Sequence, residues 1–196
     1  MTRIACLILA AGGARRFGGR KQLAGVHGIP MLRHVIDAVC PLAPDDVYVV
    51  IGAFASDIRP ILDDTVHVVE NPDWHTGIGG SIAVGVSELV AGGNYDGVLI
   101  VLGDQVALTT DDYRRIVQSF APDVVSVADY ADTVGAPALF PKQFMTKLTR
   151  LKGDQGAKKI VLQGDWQIRR VPMERAVIDI DTSEDLGVIQ ADLPGS

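Results

Sequence analysis

The chain has 196 residues and a formal net charge of −6 at pH 7, and its length suits one compact domain with a substantial core. The acidic balance argues against a polymeric nucleic-acid partner, because binding to a phosphate backbone requires a broad basic surface. No apolar stretch approaches the roughly 20 residues needed to span a bilayer, so we predict no membrane-spanning segment.

Short continuous apolar runs alternate with helical patterns over the first two thirds of the chain. The apolar runs indicate strands buried on both faces, and they lie at residues 4–9, 47–51, 66–69, 98–102 and 124–127. The helical patterns lie between them, at 31–39, 55–62, 81–89 and 111–119. This alternation predicts right-handed crossovers and a three-layer, doubly wound α/β domain with a mostly parallel, Rossmann-like sheet.

The pattern changes after residue 130, where we expect an added antiparallel element. The segments there predict strands at 136–140, 168–171 and 176–180 and helices near 142–148 and 156–162. Thr182 with Asp185 three positions later fits a helix start, so a last helix should run to about residue 190. No segment reads as a linker, and we therefore predict a single domain over 1–196.

The two cysteines, Cys6 and Cys40, lie in apolar surroundings and lack metal-ligand spacing. Such usage predicts reduced core residues rather than a disulfide, and therefore a cytoplasmic protein.

A glycine-rich basic loop follows the first predicted strand. The strand ends in two glycines, and the segment contains Gly12, Gly13, Arg15, Arg16, Gly18, Gly19 and Lys21. Glycines let backbone N–H groups approach an anion, and the cations neutralise it. The loop is neither a P-loop nor a dinucleotide fingerprint. It indicates a polyphosphate site, against the alternative of a surface loop with solvated arginines.

Two acidic residues follow predicted strands by independent routes, Asp104 after 98–102 and Asp181 after 177–180. Ligands of open α/β sheets bind beyond the carboxyl ends of strands, and Mg²⁺ is often held by one or two carboxylates with substrate phosphates. We predict both as Mg²⁺ ligands. The alternative is an ordinary capping or turn role, and near Asp181 the residues Asp179 and Asp185 compete.

Five segments together resemble the MobA-like nucleotidyltransferases, most of all the molybdenum cofactor cytidylyltransferases and their close relatives. The first is similar to the family signature L-A-A-G-x-x-x-R-x-G-x-x-K, with Leu9, Ala10, Ala11, Gly12, Arg16, Gly18 and Lys21. The others are Asn71-Pro72-x-Trp74-x-x-Gly77 leading into Gly80-Ser81, Gly103-Asp104-Gln105, Gly135-x-Pro137-x-x-Phe140, and Asp179-Ile180-Asp181-Thr182-x-Glu184-Asp185-Leu186. These segments extend over nearly the whole chain, and they occur in the same order as in the family.

The resemblance implies a Mg²⁺-dependent enzyme that transfers a nucleoside monophosphate from an NTP, with CTP favoured, to the phosphate of a molybdopterin-type cofactor and releases pyrophosphate. Residues 1–130 would form the nucleotide-binding half and 131–196 the acceptor side. A phosphate acceptor, with its second pKa of about 6, attacks without a general base. The four histidines are accordingly interpreted as surface or local hydrogen-bonding residues.

The resemblance also implies roles for individual residues. Arg16 would bind the outer phosphates, Lys21 would neutralise charge at the α-phosphate and the leaving pyrophosphate, and Asp104 would complete the catalytic set. The nucleotide-binding set is Leu9, Ala10, Ala11, Gly12, Gly13, Arg16, Lys21, Gly80, Ser81 and Asp104. The acceptor-side contacts are Gln105, Gly135 and Asp154. Ser81 has the alternative of a plain N-cap, and Asp154 that of capping the next helix.

Three residues depart from the family pattern. Val106 stands where many relatives carry Pro, Ala136 where they often carry His, and Ala14 where Gly or Ser is usual. These departures leave the acceptor less well defined than the nucleotide. Another phosphorylated small molecule as acceptor is one alternative, and GTP as donor is another. A non-catalytic carrier that inserts a cofactor into a molybdenum enzyme, directly or through its maturation chaperone, is a further one. A nicotinamide oxidoreductase is disfavoured because its glycine fingerprint is missing.

Overall fold

The computed structural model describes residues 2–14, 16–131, 133–177, 180 and 184–185. Seven strands of these described residues form one sheet in the order β5-β4-β1-β6-β8-β7-β9. They are β1 (Ile4–Leu9), β4 (Val47–Ile51), β5 (His67–Glu70), β6 (Gly97–Leu102), β7 (Val124–Tyr130), β8 (Thr133–Pro141) and β9 (Gln167–Pro172). The strands β2 (Gly25–Val26) and β3 (Ile29–Pro30) form a separate antiparallel pair.

The sheet is mostly parallel, as the sequence predicts. Strands β5, β4, β1 and β6 pair in parallel, β8 runs antiparallel to both of its neighbours, and β9 pairs in parallel with β7. Leu9 at the end of β1 is in register with Val50 of β4 and Leu102 of β6. The carboxyl ends of the three central strands therefore meet at one edge of the sheet.

In the part of the chain that the structure describes, six helices cover the two faces of the sheet: α1 (Met31–Val39), α2 (Ala55–Ile58), α3 (Ile78–Gly92), α4 (Thr110–Gln118), α5 (Lys142–Leu148) and α6 (Ala157–Gln163). All six residues of β1 are buried, because alternate side chains of a strand point to opposite faces and both faces are covered. One core contains residues of α1, α2 and α4, and the other contains residues of α3, α5 and α6. The three-layer prediction is confirmed.

Two predicted elements near the chain's surface differ from the structure. The helix predicted at 55–62 is the short α2 followed by a 3₁₀ turn at Arg59–Ile61, because Pro60 has no N–H to continue an α-helix. The strand predicted at 176–180 is wrong at its start, since Glu174–Val177 is a 3₁₀ turn that buries Ala176. Residues 178–179 lie outside the described residues, as does most of the helix predicted at 182–190.

Within the described residues, no helix combines the length and the apolar character that a bilayer crossing requires.

Candidate functional site

A cavity of about 530 Å³ lies at the carboxyl ends of the central strands. Four segments form it: the loop after β1, the segment that leads into α3, the end of β6 and one residue before α6. Its lining residues are Leu9, Ala11, Gly12, Gly13, Ala14, Arg16, Phe17, Lys21, Gln22, Trp74, His75, Gly77, Ile78, Ser81, Leu102, Gly103, Asp104 and Asp154. The structure thus brings together most of the predicted nucleotide-binding residues, including Arg16, Lys21, Ser81 and Asp104.

The loop after β1 is held by a buried glutamine that the sequence analysis did not single out. The Gln22 side-chain amide donates hydrogen bonds to the carbonyl oxygens of Ala10 at 3.0 Å and Gly12 at 2.9 Å. These bonds engage two carbonyl groups of the loop within the protein, which favours a loop that presents N–H groups to phosphate. No sequence pattern marks such a contact, because it depends on the path of the loop.

Close packing against Trp74 explains one of the loop glycines. A Cβ on Gly13 would lie 2.9 Å from the Trp74 ring, a distance that side chains do not tolerate. Trp74 is thus both a wall of the cavity and a support for the loop.

Lys21 and Asp104 form an ion pair at the centre of the site. The Lys21 Nζ lies 2.8 Å from the Asp104 Oδ2, and the lysine side chain is only 9% exposed. The other carboxylate oxygen of Asp104, Oδ1, is buried and has no hydrogen-bond partner among the described residues. A buried acceptor without a partner costs free energy unless a ligand satisfies it.

That oxygen fits a divalent cation, which carboxylates bind together with phosphate oxygens and water. The second predicted ligand, Asp181, lies outside the described residues. Among those that are described, no three His, Cys, Asp or Glu side chains gather into a metal-binding group. The predicted pair of metal ligands therefore stays a prediction, and of the two residues Asp104 has an oxygen in a suitable position.

The segment that leads into α3 forms another part of the cavity wall. Gly77 has a φ of 117°, in the left-handed region that favours glycine. A Cβ there would also lie 2.7 Å from the Asp154 Oδ1. The Gly79 N–H donates to the Gly153 carbonyl at 2.8 Å, so the segment carrying Asp154 is tied to this helix start.

Ser81 is not the N-cap of α3, because that position is Gly77 and the helix begins at Ile78. Its hydroxyl is buried and accepts a hydrogen bond from the Asn71 side-chain amide at 3.0 Å. Of the two interpretations open at the sequence level, the capping one is therefore wrong and the cavity contact remains.

Several other predicted residues lie outside the cavity lining. Ala10 is buried behind the loop, and Gly80 faces Thr76 and Asn71. Gln105 is buried and donates to the Ala136 carbonyl at 2.9 Å, so it holds the turn after β6 against β8 rather than reaching the cavity. Gly135 is inside β8, packed against the Tyr130 hydroxyl. Of the three acceptor-side predictions, Asp154 alone lines the cavity in the described part of the chain.

Comparisons with known proteins agree with this geometry. The family model of the MobA-like NTP transferase domain matches residues 6–168. The bifunctional protein GlmU of Pseudomonas aeruginosa is 30% identical over 182 residues, which cover 90% of this chain and 36% of GlmU. The chain therefore spans about a third of the length of that curated relative.

Solved structures show the same fold. Rv0371c from Mycobacterium tuberculosis H37Rv has a TM-score of 0.81 and 27% identity over 98% of this chain and all of that one. A further crystal structure contains Rv0371c in complex with manganese. The nucleotidyl transferase Mth528 from Methanothermobacter has a TM-score of 0.83 and 23% identity, covers 98% of both chains, and supports the fold. Because the family match covers most of this chain, including the loop after β1, Ser81 and Asp104, the chain belongs to the MobA-like NTP transferase family.

Proposed function

We propose that this protein transfers a nucleoside monophosphate from an NTP, with CTP as the favoured donor, to the phosphate of a molybdopterin-type acceptor and releases pyrophosphate. The observation that carries the proposal is the Lys21–Asp104 pair beneath the glycine loop, in a cavity large enough for a nucleotide. A buried lysine beside a carboxylate with one unsatisfied oxygen suits the charge of a triphosphate and its metal.

The residues of the loop would bind and orient the triphosphate. Backbone N–H groups from Ala11 to Gly18 would face the phosphates, and Arg16 would bind the outer ones. Lys21 would stabilise negative charge as it develops on the α-phosphate and on the leaving pyrophosphate. Asp104 with Asp181 would hold Mg²⁺, which when bound neutralises charge on phosphate oxygens. The manganese in an Rv0371c structure supports a divalent cation for relatives of this type.

The proposed reaction is an in-line displacement. An oxygen of the acceptor phosphate forms a bond to the α-phosphorus while the bond from that phosphorus to the pyrophosphate oxygen breaks. The acceptor oxygen is already deprotonated at neutral pH, so positioning and electrostatics are sufficient. His75 is the one histidine that lines the cavity, and no role as a general base is required of it.

A direct test measures pyrophosphate release with each of the four NTPs, Mg²⁺ and purified molybdenum-loaded molybdopterin. We expect turnover with CTP and much less with the others. In parallel, the preferred NTP should raise the melting temperature more than the other three, because binding only to the native state stabilises it by mass action. Absence of turnover and of stabilisation with every NTP would contradict the proposal.

Two alternatives within this site concern its substrates and its role. GTP as donor, or another phosphorylated small acceptor, would appear as a different preferred pair in the same assay. Val106 and Ala136 give modest support to a non-catalytic carrier from the sequence, but both are buried outside the cavity lining in the described residues. The D104A variant separates enzyme from carrier, since the enzyme loses turnover and a carrier still delivers cofactor to its molybdenum enzyme or chaperone.

A cytoplasmic location is part of the proposal. Cys6 and Cys40 are both free thiols in the structure. Burial raises the pKa of the Cys6 thiol to about 12, which keeps it protonated and unreactive. Fractionation of cells that produce the protein would test the location.

A further inference from the structure

Asn71 connects the end of β5 to the first turn of α3. Its backbone N–H donates to the Ile51 carbonyl at the end of β4, at 2.9 Å, and its side chain is almost completely buried. It does not line the cavity, yet its side-chain amide contacts Ser81, which does. Asn71 therefore contacts a cavity residue, Ser81, without lining the cavity itself.

The orientation of the Asn71 amide follows from the chemistry of its two partners. The Asp73 backbone N–H, which can only donate, lies 3.1 Å from the Asn71 Oδ1. The oxygen of the amide must therefore face Asp73, and the NH₂ group must face the Ser81 Oγ at 3.0 Å. Because an amide nitrogen only donates, Ser81 accepts this bond.

Ser81 therefore keeps its own proton for another acceptor. A serine hydroxyl has one O–H donor and two acceptor lone pairs. Among the described residues, the Ser81 hydroxyl makes no hydrogen bond besides the one from Asn71. With that bond fixed and the hydroxyl at the cavity wall, the remaining proton is available to a bound molecule.

The surroundings of Ser81 indicate which part of a nucleotide lies there. Leu9, Ala11, Trp74, Ile78 and Leu102 line the cavity and pack in the same core as α3. The cations Arg16 and Lys21 come from the basic loop instead. A largely apolar wall that carries the Ser81 hydroxyl suits a nucleoside better than a triphosphate, since the base is flat and weakly polar.

We propose that Asn71 is a positioning residue that makes the Ser81 hydroxyl a hydrogen-bond donor toward the nucleoside of the bound NTP. This inference rests on the proposed function and adds to it a basis on which the site selects the nucleoside. The site accepts a nucleoside that presents an acceptor, a carbonyl oxygen or an unprotonated ring nitrogen, to Ser81. A group that can only donate at this place would leave itself unpaired and would be rejected.

The test compares the binding of CTP with that of tripolyphosphate, which carries the anionic part alone, to the full chain in the presence of Mg²⁺. S81A removes the donor and should weaken CTP binding about tenfold. N71D places a carboxylate where the amide nitrogen stood, so the Ser81 proton turns away from the ligand; we expect a loss of about 10- to 100-fold. Neither change should alter tripolyphosphate binding, which also reports that each variant is folded.

A double-mutant cycle with the uncharged variant N71A separates positioning from general support of the fold. N71A should weaken CTP binding in the protein that retains Ser81 and should have no further effect in the S81A background. S87A is the matched control, because Ser87 lies on an exposed part of the same helix and bonds the Ala83 carbonyl. It should leave both affinities unchanged.

Equal losses from N71A with and without Ser81, or a parallel loss of tripolyphosphate binding, would overturn the inference. CTP binding that N71D leaves unchanged would do the same. If the unmodified protein bound none of the four NTPs, the proposed function itself would fail. Failure of the proposed function would thus be seen in the unmodified protein, whereas failure of the inference would be seen only in the variants.

Discussion

Polar side chains lie at both ends of the central strands, but the two ends differ in whether those side chains have hydrogen-bond partners within the protein. At the amino ends, Arg3 forms a pair with Asp46 at 2.6 Å, and the Tyr95 hydroxyl donates to the same carboxylate at 2.9 Å. Tyr48 extends the chain of hydrogen bonds through Tyr95 at 3.0 Å. Each of these polar groups is satisfied within the protein.

The carboxyl ends of the strands instead retain unsatisfied groups. Buried oxygens of Gln22, Asp104 and Gln105 have no hydrogen-bond partner among the described residues. Native proteins seldom leave such groups unpaired. The amino-end network therefore satisfies its polar groups within the protein, whereas Gln22 and Asp104, which line the cavity, each keep a buried oxygen without a partner in the described residues.

The sharpest test of this difference is to remove the cation of the carboxyl-end pair. K21M should lower the rate of pyrophosphate release by about 10²- to 10³-fold, because a fixed charge aimed at the developing phosphate charge is lost. The free energy of unfolding should also fall, by about 1–3 kcal/mol, because the Asp104 carboxylate loses its cation while its other oxygen is already buried without a partner. The rate and a chemical denaturation curve measure both effects.

The matched control is K142M, which removes a lysine at the other end of the sheet, where it bonds Asn94 at 2.5 Å. Its rate should equal that of the unmodified protein. A K21M protein that keeps full activity, or a K142M protein that loses it, would remove the functional distinction between the two ends.

The opposite half of the comparison is tested at Asp46. D46N weakens the bonds from Arg3 and Tyr95, and we expect a loss of about 1.5 kcal/mol in unfolding free energy after allowance for screening by solvent. The specific activity should not change. D129N serves as the control, because its ion pair with Arg170 is longer, at 3.4 Å, and should contribute less. Equal stabilities for D46N and the unmodified protein would contradict a structural role for the amino-end network.

The amino-acid sequence predicted the sheet and part of the site for a common physical reason. Strands buried on both faces appear as continuous apolar runs, and ligands of such sheets bind at the carboxyl ends of the strands. Asp104 could therefore be placed from its position after β6. Gln22 could not, because its two bonds to Ala10 and Gly12 depend on the path of the folded loop and leave no periodic pattern.

The errors have equally local causes. Ala176 and Ile180 are both buried, and the apolar run suggested a strand where the chain forms a 3₁₀ turn around Ala176. The family resemblance implies that Gln105 contacts the acceptor. Instead its amide bonds the Ala136 carbonyl across the sheet. Neither outcome follows from residue type or spacing, since both depend on tertiary packing.

A smaller effect is expected when the support of the loop is changed without removing a charge that contacts the ligand. Q22E keeps the shape of the side chain but cannot donate to the Ala10 and Gly12 carbonyls when ionised. The loop should lose its orientation, and we expect about tenfold weaker binding of tripolyphosphate by calorimetry. Q143E is the matched control, because Gln143 is exposed and bonds the Pro122 carbonyl. Unchanged affinity in Q22E would show that the loop orients itself.

The smallest effect is expected in the pH dependence of stability at the amino end. Hydrogen bonding to Arg3 lowers the pKa of the Asp46 carboxyl, although its partial burial acts in the opposite direction. Because the pKa in the folded protein lies below that in the unfolded chain, Asp46 contributes stability that is fully present above about pH 4. That stability is lost as the pH falls through the folded-state value.

D46N removes this titration, so its unfolding free energy should decrease less steeply between pH 5 and pH 3 than that of the unmodified protein, as measured by urea denaturation at a series of pH values. A remaining slope is expected in both proteins, because bonds from the Thr65 hydroxyl and from Arg33 lower the pKa of Asp63 to about 2. Parallel slopes in the two proteins would show that Asp46 titrates alike in the folded and unfolded chains. The amino-end network would then stabilise the fold by packing around Tyr48 and Tyr95, since a charge that titrates alike in both states adds no pH-dependent stability.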